Sequence, residues 1–214
     1  NEAGRGTDET ETEVTLTQGF YLGKYEVTQA QYEAVMINND ASLSPTPSNF
    51  TGSDLPVEQV SWDDVQIFLE RLNEQEADNL PPGWAYVLPT EAQWEYACRA
   101  GTTTAYSWGN EINASLANYD NNIGQTANVG SYGANPWGFF DMHGNVWEWV
   151  HDWKADYPGR AETNPEGPAS GSNRVLRGGS WSNDGTSLRS AKRSNSTPSL
   201  RHYRIGFRVG FQQQ

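Results

Sequence analysis

Apolar and polar positions alternate across residues 14–25, where Val14, Leu16, Phe20, Leu22 and Tyr25 surround a Gln18-Gly19 turn. A period of two predicts short strands. The period then lengthens. Thr28 offers an N-cap hydroxyl, and Tyr32, Val35 and Met36 follow at the spacing of one helix face. Ser61 opens a second helix, with Asp63 and Asp64 in its first turn and Val65, Phe68, Leu69 and Leu72 on one stripe. Residues 86–89 read as a strand. Thr90 then caps a third helix with Gln93 as capping-box partner; Trp94, Ala97 and Cys98 face inward, and Gly101 ends it. Residues 38–55 form a loop rich in Ser, Pro, Asn and Asp, and residues 102–136 are mainly loop. Residues 177–182 and 205–211 are apolar enough for strands flanking a polar loop. Residues 1–13 are polar and acidic, which predicts a mobile or loosely pinned leader ahead of a single domain over residues 14–214.

Composition changes the picture in three ways. Nine Trp, ten Tyr and seven Phe carry burial that aliphatic residues usually supply. Twenty-one Gly and eleven Pro predict long ordered loops. The formal charge of -13, from 14 basic and 27 acidic residues, argues against nucleic acid as a partner and is compatible with bound cations. The basic residues cluster: Asp184 is the sole acid from Arg174 to Arg208. A single cysteine, Cys98, allows no intrachain disulfide, and no apolar run reaches the length of a membrane span.

Several segments, in order, carry a family resemblance: GFYLGKYEVT at 19–28, PVEQVSW at 56–62, LPTEAQWEYA at 88–97, GNVWEW at 144–149, RGGSW at 177–181 and GFRV at 206–209. The set resembles the formylglycine-generating-enzyme (sulfatase-modifying factor) family. The resemblance implies an α+β, C-type-lectin-like fold, loop-rich, with short strands, a few helices and one or two calcium ions. Family enzymes hold copper on two cysteines shortly after the Gly-Gly-Ser-aromatic motif, because Cu(I) needs soft thiolates. Here the stretch from Trp181 to Leu188 contains none. No copper is therefore expected, and formylglycine generation on sulfatases ranks last. Cys98, on an apolar helix face, reads as a small core residue. An iron or copper oxygenase with an atypical site is the alternative, but His143, His151 and His202 have no recognised ligand spacing.

Two further groups follow from the resemblance. Asp141 and Glu148 would give side-chain oxygens to calcium, with Gly144 and Val146 giving carbonyls; a second site maps onto Asn118, Tyr119, Asn121 and Ile123. Against this, Asp141 and Glu148 could simply cap turns. The polar loop near the C-terminus is where family enzymes build their active site, and where the related variable proteins of diversity-generating retroelements carry ligand-binding surface. Ser182, Asn183, Asp184, Thr186, Asn195, Arg201, His202 and Tyr203 are the expected contacts for a protein or carbohydrate ligand. Arg189 and Arg193 are expected as buried partners of carboxylates such as Glu148. The leading expectation is a non-catalytic, calcium-stabilised binding or assembly module, exported by family likeness, with self-assembly as one outcome.

Overall fold

The computed structural model describes residue 2 and residues 4–214. Three helices begin at the caps that the sequence marks. Thr28 precedes α1 (Gln29–Met36), Ser61 precedes α2 (Trp62–Gln75) and Thr90 precedes α3 (Glu91–Arg99). Each cap is a reciprocal box, with Gln31, Asp64 and Gln93 reaching back to the cap amide. Two otherwise orphaned amides are satisfied at each helix start.

The strands form three small sheets. A two-stranded sheet pairs β1 (Val14–Thr15) with β5 (Glu162–Thr163) in parallel. In the second, β9 (Gly210–Gln213) lies between β2 (Tyr21–Leu22) and β3 (Trp84–Val87). In the third, the order is β7 (Arg193–Ser196), β6 (Arg174–Arg177), β4 (Trp147–Trp153) and β8 (Ile205–Phe207). The main core joins this last sheet to α1 and α2. Tyr32 stacks on Phe68 at 5.4 Å, and Phe207 meets Phe68 edge-on at 5.1 Å. A second cluster sets Trp94, Ala97 and Cys98 of α3 against Met142, Val150 and Val175.

Four sequence expectations change. The strand expected over 177–182 ends where it was to begin, because Gly178 and Gly179 have φ of +94° and +80° and turn the chain away. The apolar run at 205–211 divides between β8 and β9, in different sheets. β3 starts two residues earlier than expected, and β7 arises inside the predicted polar loop, paired with β6.

The acidic leader is also tied down more firmly than its composition suggests, although residues 1 and 3 lie outside the described residues. Glu9 is 5% exposed and receives two hydrogen bonds from Arg189, at 2.8 and 2.9 Å. Asp8 pairs with Lys154, and its carbonyl accepts from Arg193. Burial pushes the Glu9 carboxyl up, but Arg189 outweighs that and holds it below its usual range. Glu9 is thus matched to the basic stretch 180 residues away, and Asp8 to Lys154.

Candidate functional site

After β6 the chain turns through Gly178 and Gly179 into Ser180 and Trp181, which are buried. Asn183 then turns inward. Its Oδ1 accepts from Trp147 Nε1 at 3.0 Å and Ser180 Oγ at 2.6 Å, and its carbonyl accepts from the Asp120 amide at 2.8 Å. Asp184 caps a single 3-10 turn (Gly185–Leu188), taking the Ser187 amide and the Thr186 hydroxyl. Arg189 donates to the Thr186 carbonyl and to Glu9, so the leader holds the loop's far end.

Beside this turn lies a partly open aromatic cluster. Tyr203 is 6.0 Å from the Trp181 ring and 6.4 Å from Phe50, and Phe50 meets Trp181 edge-on at 5.6 Å. His202 stacks on Tyr203 at 4.4 Å, with 24° between the planes. Arg204 lies 5.4 Å from the Tyr203 centroid and donates to Ser182 Oγ at 2.8 Å. Burial and the neighbouring Arg204 hold His202 below its usual range, so its ring is neutral at pH 7.

The structure brings together Ser182, His202 and Tyr203 of the expected contacts. Asp184, Thr186 and Asn195 are exposed, with Asn195 accepting from Asn173. Two of the expected contacts are also engaged within the fold. The side-chain oxygen of Asn183 is used by two inward donors. Arg201 is exposed and pairs through both carboxylate oxygens with Asp64, each at 2.6 Å, which ties the loop to the start of α2. Phe50 and Arg204 are contributors that the sequence reading missed; the one signal for Phe50 is an aromatic residue in a Ser/Pro/Asn loop.

The expected calcium positions divide. Glu148 is fully buried, with one oxygen bound by Arg208 Nε and Trp94 Nε1 and the other by Arg208 Nη2, each at 2.7 Å. A guanidinium therefore faces the carboxylate expected to face an ion, and Oε1 of Glu148 receives a single donor. Asp141 takes the Gly130 amide at 2.6 Å, and its burial pushes its carboxyl up to about 6. Glu26, also buried, accepts from Asn145 and the Val146 amide. Burial, then Asp141 and Glu148, drive the Glu26 carboxyl well above its usual range. Asn118 donates to the Gln125 carbonyl and Asn145, while its buried Oδ1 has no hydrogen-bond partner among the described residues. Tyr119 is half-buried, and Asn121 and Ile123 are exposed. No group of three or more His, Cys, Asp and Glu able to hold a metal occurs among the described residues. A cation here would depend on amide and carbonyl oxygens, which suit calcium.

Arg189 and Arg193 are buried partners of carboxylates as expected, but of Glu9 and Glu91; Arg208 is the partner of Glu148. Cys98 is fully buried, and burial pushes its thiol up to about 12. Burial pulls His143 down to about 4; its Nδ1 is 2.7 Å from the Leu188 carbonyl, and Nε2 accepts the Ser107 amide at 3.1 Å. Both groups are structural.

Behind Phe50 sits a carboxylate that the sequence did not mark. Glu58 is fully buried; Oε1 accepts the Phe50 amide at 2.8 Å, and Oε2 has no partner among the described residues. Burial pushes its carboxyl up to about 7, from an ordinary 4.5. The folded state thus favours the protonated form. The stability cost is absent below pH 4.5, grows between 4.5 and 7, and is complete above 7. Glu58→Gln is expected to raise the melting temperature at pH 8, by the equivalent of up to about 3 kcal/mol, with no gain at pH 4. An equal gain at both pH values would show that ionisation of Glu58 is not the cause.

Residues 2–212 match the sulfatase-modifying factor enzyme 1-like domain. The mouse formylglycine-generating enzyme is 34% identical over 183 residues, covering 77% of this chain and 46% of that protein. The structure of Treponema denticola variable protein 1 superposes with a TM-score of 0.82 at 32% identity, over 93% of this chain and 86% of that one. PvdO from Pseudomonas aeruginosa gives a TM-score of 0.82 at 29% identity, over 99% and 88% of the two chains. The matched region spans 20% to 46% of the length of several curated relatives. No helix among the described residues is long and apolar enough to cross a membrane.

Proposed function

The chain belongs to the sulfatase-modifying factor enzyme 1-like family, and from that premise we propose that it is a non-catalytic binding module. Its recognition surface is formed by Phe50, His202, Tyr203 and Arg204 with the neighbouring Ser182, packed over the buried Trp181. The observation that carries this reading is Asn183. It stands in the stretch where the family's enzymes carry their copper-binding cysteines, and Trp147 and Ser180 both donate to its side-chain oxygen. An amide oxygen tied by two donors is a poor ligand for a soft ion. Cys98 and His143, buried and engaged elsewhere, offer no substitute.

Clustered rings with an arginine over one of them suit a protein or carbohydrate ligand, since aromatic faces give contact area at low entropic cost. The likeness to a protein named as variable supports placing the exchangeable surface in these loops. Calcium is part of the proposal. Asp141 and Glu148 with the Gly144 and Val146 carbonyls would hold one ion, and Asn118 with Tyr119, Asn121 and Ile123 a second. The unpartnered Asn118 oxygen and the crowding of Glu26, Asp141 and Glu148 around one arginine support a cation there. The ion would order loops that have few ladder hydrogen bonds. Export and self-assembly rest on family likeness.

The test pairs elemental analysis with a double variant. Protein stripped of metal and dialysed against mixed calcium, copper and iron is expected to retain calcium alone and to melt at higher temperature with it. His202→Ala with Tyr203→Ala is expected to keep the melting temperature within a few degrees while losing whatever signals the wild type gives on glycan and protein arrays. Stoichiometric copper or iron, or unfolding of the double variant, would overturn the reading.

A further inference from the structure

A large cleft lies away from the aromatic cluster. Its volume is about 1710 Å³, and none of Phe50, Trp181, His202, Tyr203 and Arg204 lines it. Small-molecule sites run to roughly 300–1,000 Å³, so this one has room for a polymer segment. Residues between 10 and 20, residues of α3 and Trp137 all line it.

Three observations define the occupant. The first is charge. Ten carboxylates and five arginines line the cleft among the described residues. Four of those arginines, Arg99, Arg160, Arg189 and Arg193, already face a carboxylate. Glu11, Glu111, Asp156 and Glu166 are exposed along it, so the remaining field is negative. The second is an open strand edge. β1 pairs on one side only, with β5. The Glu13 and Thr15 carbonyls accept from Glu162 and Asn164, so the amide and carbonyl of the intervening Val14 point the other way. The third is an exposed aromatic pair. Tyr96 and Trp137 are 54% and 45% exposed, meet edge-on at 4.8 Å and also line the cleft.

We infer that this cleft binds an extended, basic polypeptide segment of a partner, which adds a strand along β1 and sets lysine or arginine side chains against Trp137 and the free carboxylates. Strand addition supplies affinity through main-chain bonds, and alternate side chains supply specificity. A cation over an indole face gains further from the ring quadrupole. This site is separate from the recognition cluster, and its test does not depend on that cluster.

The probes are two fluorescein-labelled decapeptides, alternating Val-Lys and alternating Val-Glu, titrated by anisotropy into the full chain. The Val-Lys peptide is expected to bind at least tenfold more tightly, and to weaken as salt is raised. Val14→Pro removes only an outward-facing donor. It is expected to cut Val-Lys affinity at least tenfold with the melting temperature preserved. Trp137→Ala is expected to weaken the same peptide several-fold, which gives a second reading if the proline variant is unstable. Equal binding of both peptides, binding by neither, or undiminished affinity in folded Val14→Pro and Trp137→Ala would overturn the proposal.

Discussion

Arg208→Ala is expected to leave the chain unable to hold its fold at 37 °C. Arg208 is fully buried and donates to both oxygens of Glu148, to the Gly23 carbonyl at 3.1 Å and to the Phe140 carbonyl at 3.0 Å. It is also the cation that faces Glu26 and Asp141. Removing it strands a buried carboxylate and leaves two more without their compensating charge. Breaking one buried pair in this way costs about 3–5 kcal/mol, a large share of the roughly 5–15 kcal/mol that a domain has. The loss should be worse at pH 8 than at pH 5. Asp141 has a folded value near 6, above its ordinary 3.8, so lowering the pH protonates it and relieves the repulsion. Arg208→Lys keeps the charge but not the planar fork, and should fall between alanine and wild type. Urea denaturation at the two pH values checks the ordering. A mild, pH-independent effect would show that the pair is not the keystone of this layer.

Gly144→Ala should have the second-largest effect, for a different reason. Gly144 has φ of +104°, where an L side chain is strained, and a Cβ there would overlap the Asn118 carbonyl and press on Leu188. Backbone strain and a clash with another backbone together cost on the order of 2–4 kcal/mol. The Asn118 carbonyl also accepts from the Asn145 amide, so the shift would spread into both proposed calcium positions. Loss of the calcium-dependent rise in melting temperature is expected along with the stability. Gly138→Ala is the control: its φ is +86°, but no atom lies within 4 Å of the added Cβ. It should cost about 1 kcal/mol, from strain alone. Equal losses in the two variants would remove the clash from the explanation.

The helices were legible because their signals are local. A hydroxyl at the cap, a partner three residues on and an apolar stripe lie within one turn or two, and all three capping boxes are in place. The sheets were less legible because strand pairing is a long-range choice. β4 runs parallel to β8 across almost sixty residues, and nothing within GFRV says that Gly206 lies beside Glu148. The same limit explains the arginines. Their burial could be anticipated from a basic cluster in an acidic chain, but the assignment of Arg208 to Glu148, Arg193 to Glu91 and Arg189 to Glu9 needs the fold. The inward hydrogen bonds of Asn183 were not legible, because a polar residue in a polar loop carries no mark of which way it faces. Tyr203 and His202 stack on one another, and Phe50 meets Tyr203 from a loop about 150 residues away.

On the proposed function, this family scaffold carries contact surface where the enzymes carry redox chemistry, and oxygen consumption distinguishes the two. Protein loaded in separate samples with Cu(I), Fe(II) or calcium is mixed with a cysteine-containing sulfatase-type peptide, and oxygen uptake is followed alongside the peptide's mass. No protein-dependent uptake is expected with any of the three ions, and the peptide should be unchanged. Turnover of oxygen with a stoichiometrically bound metal, or conversion of the cysteine to an aldehyde, would contradict it.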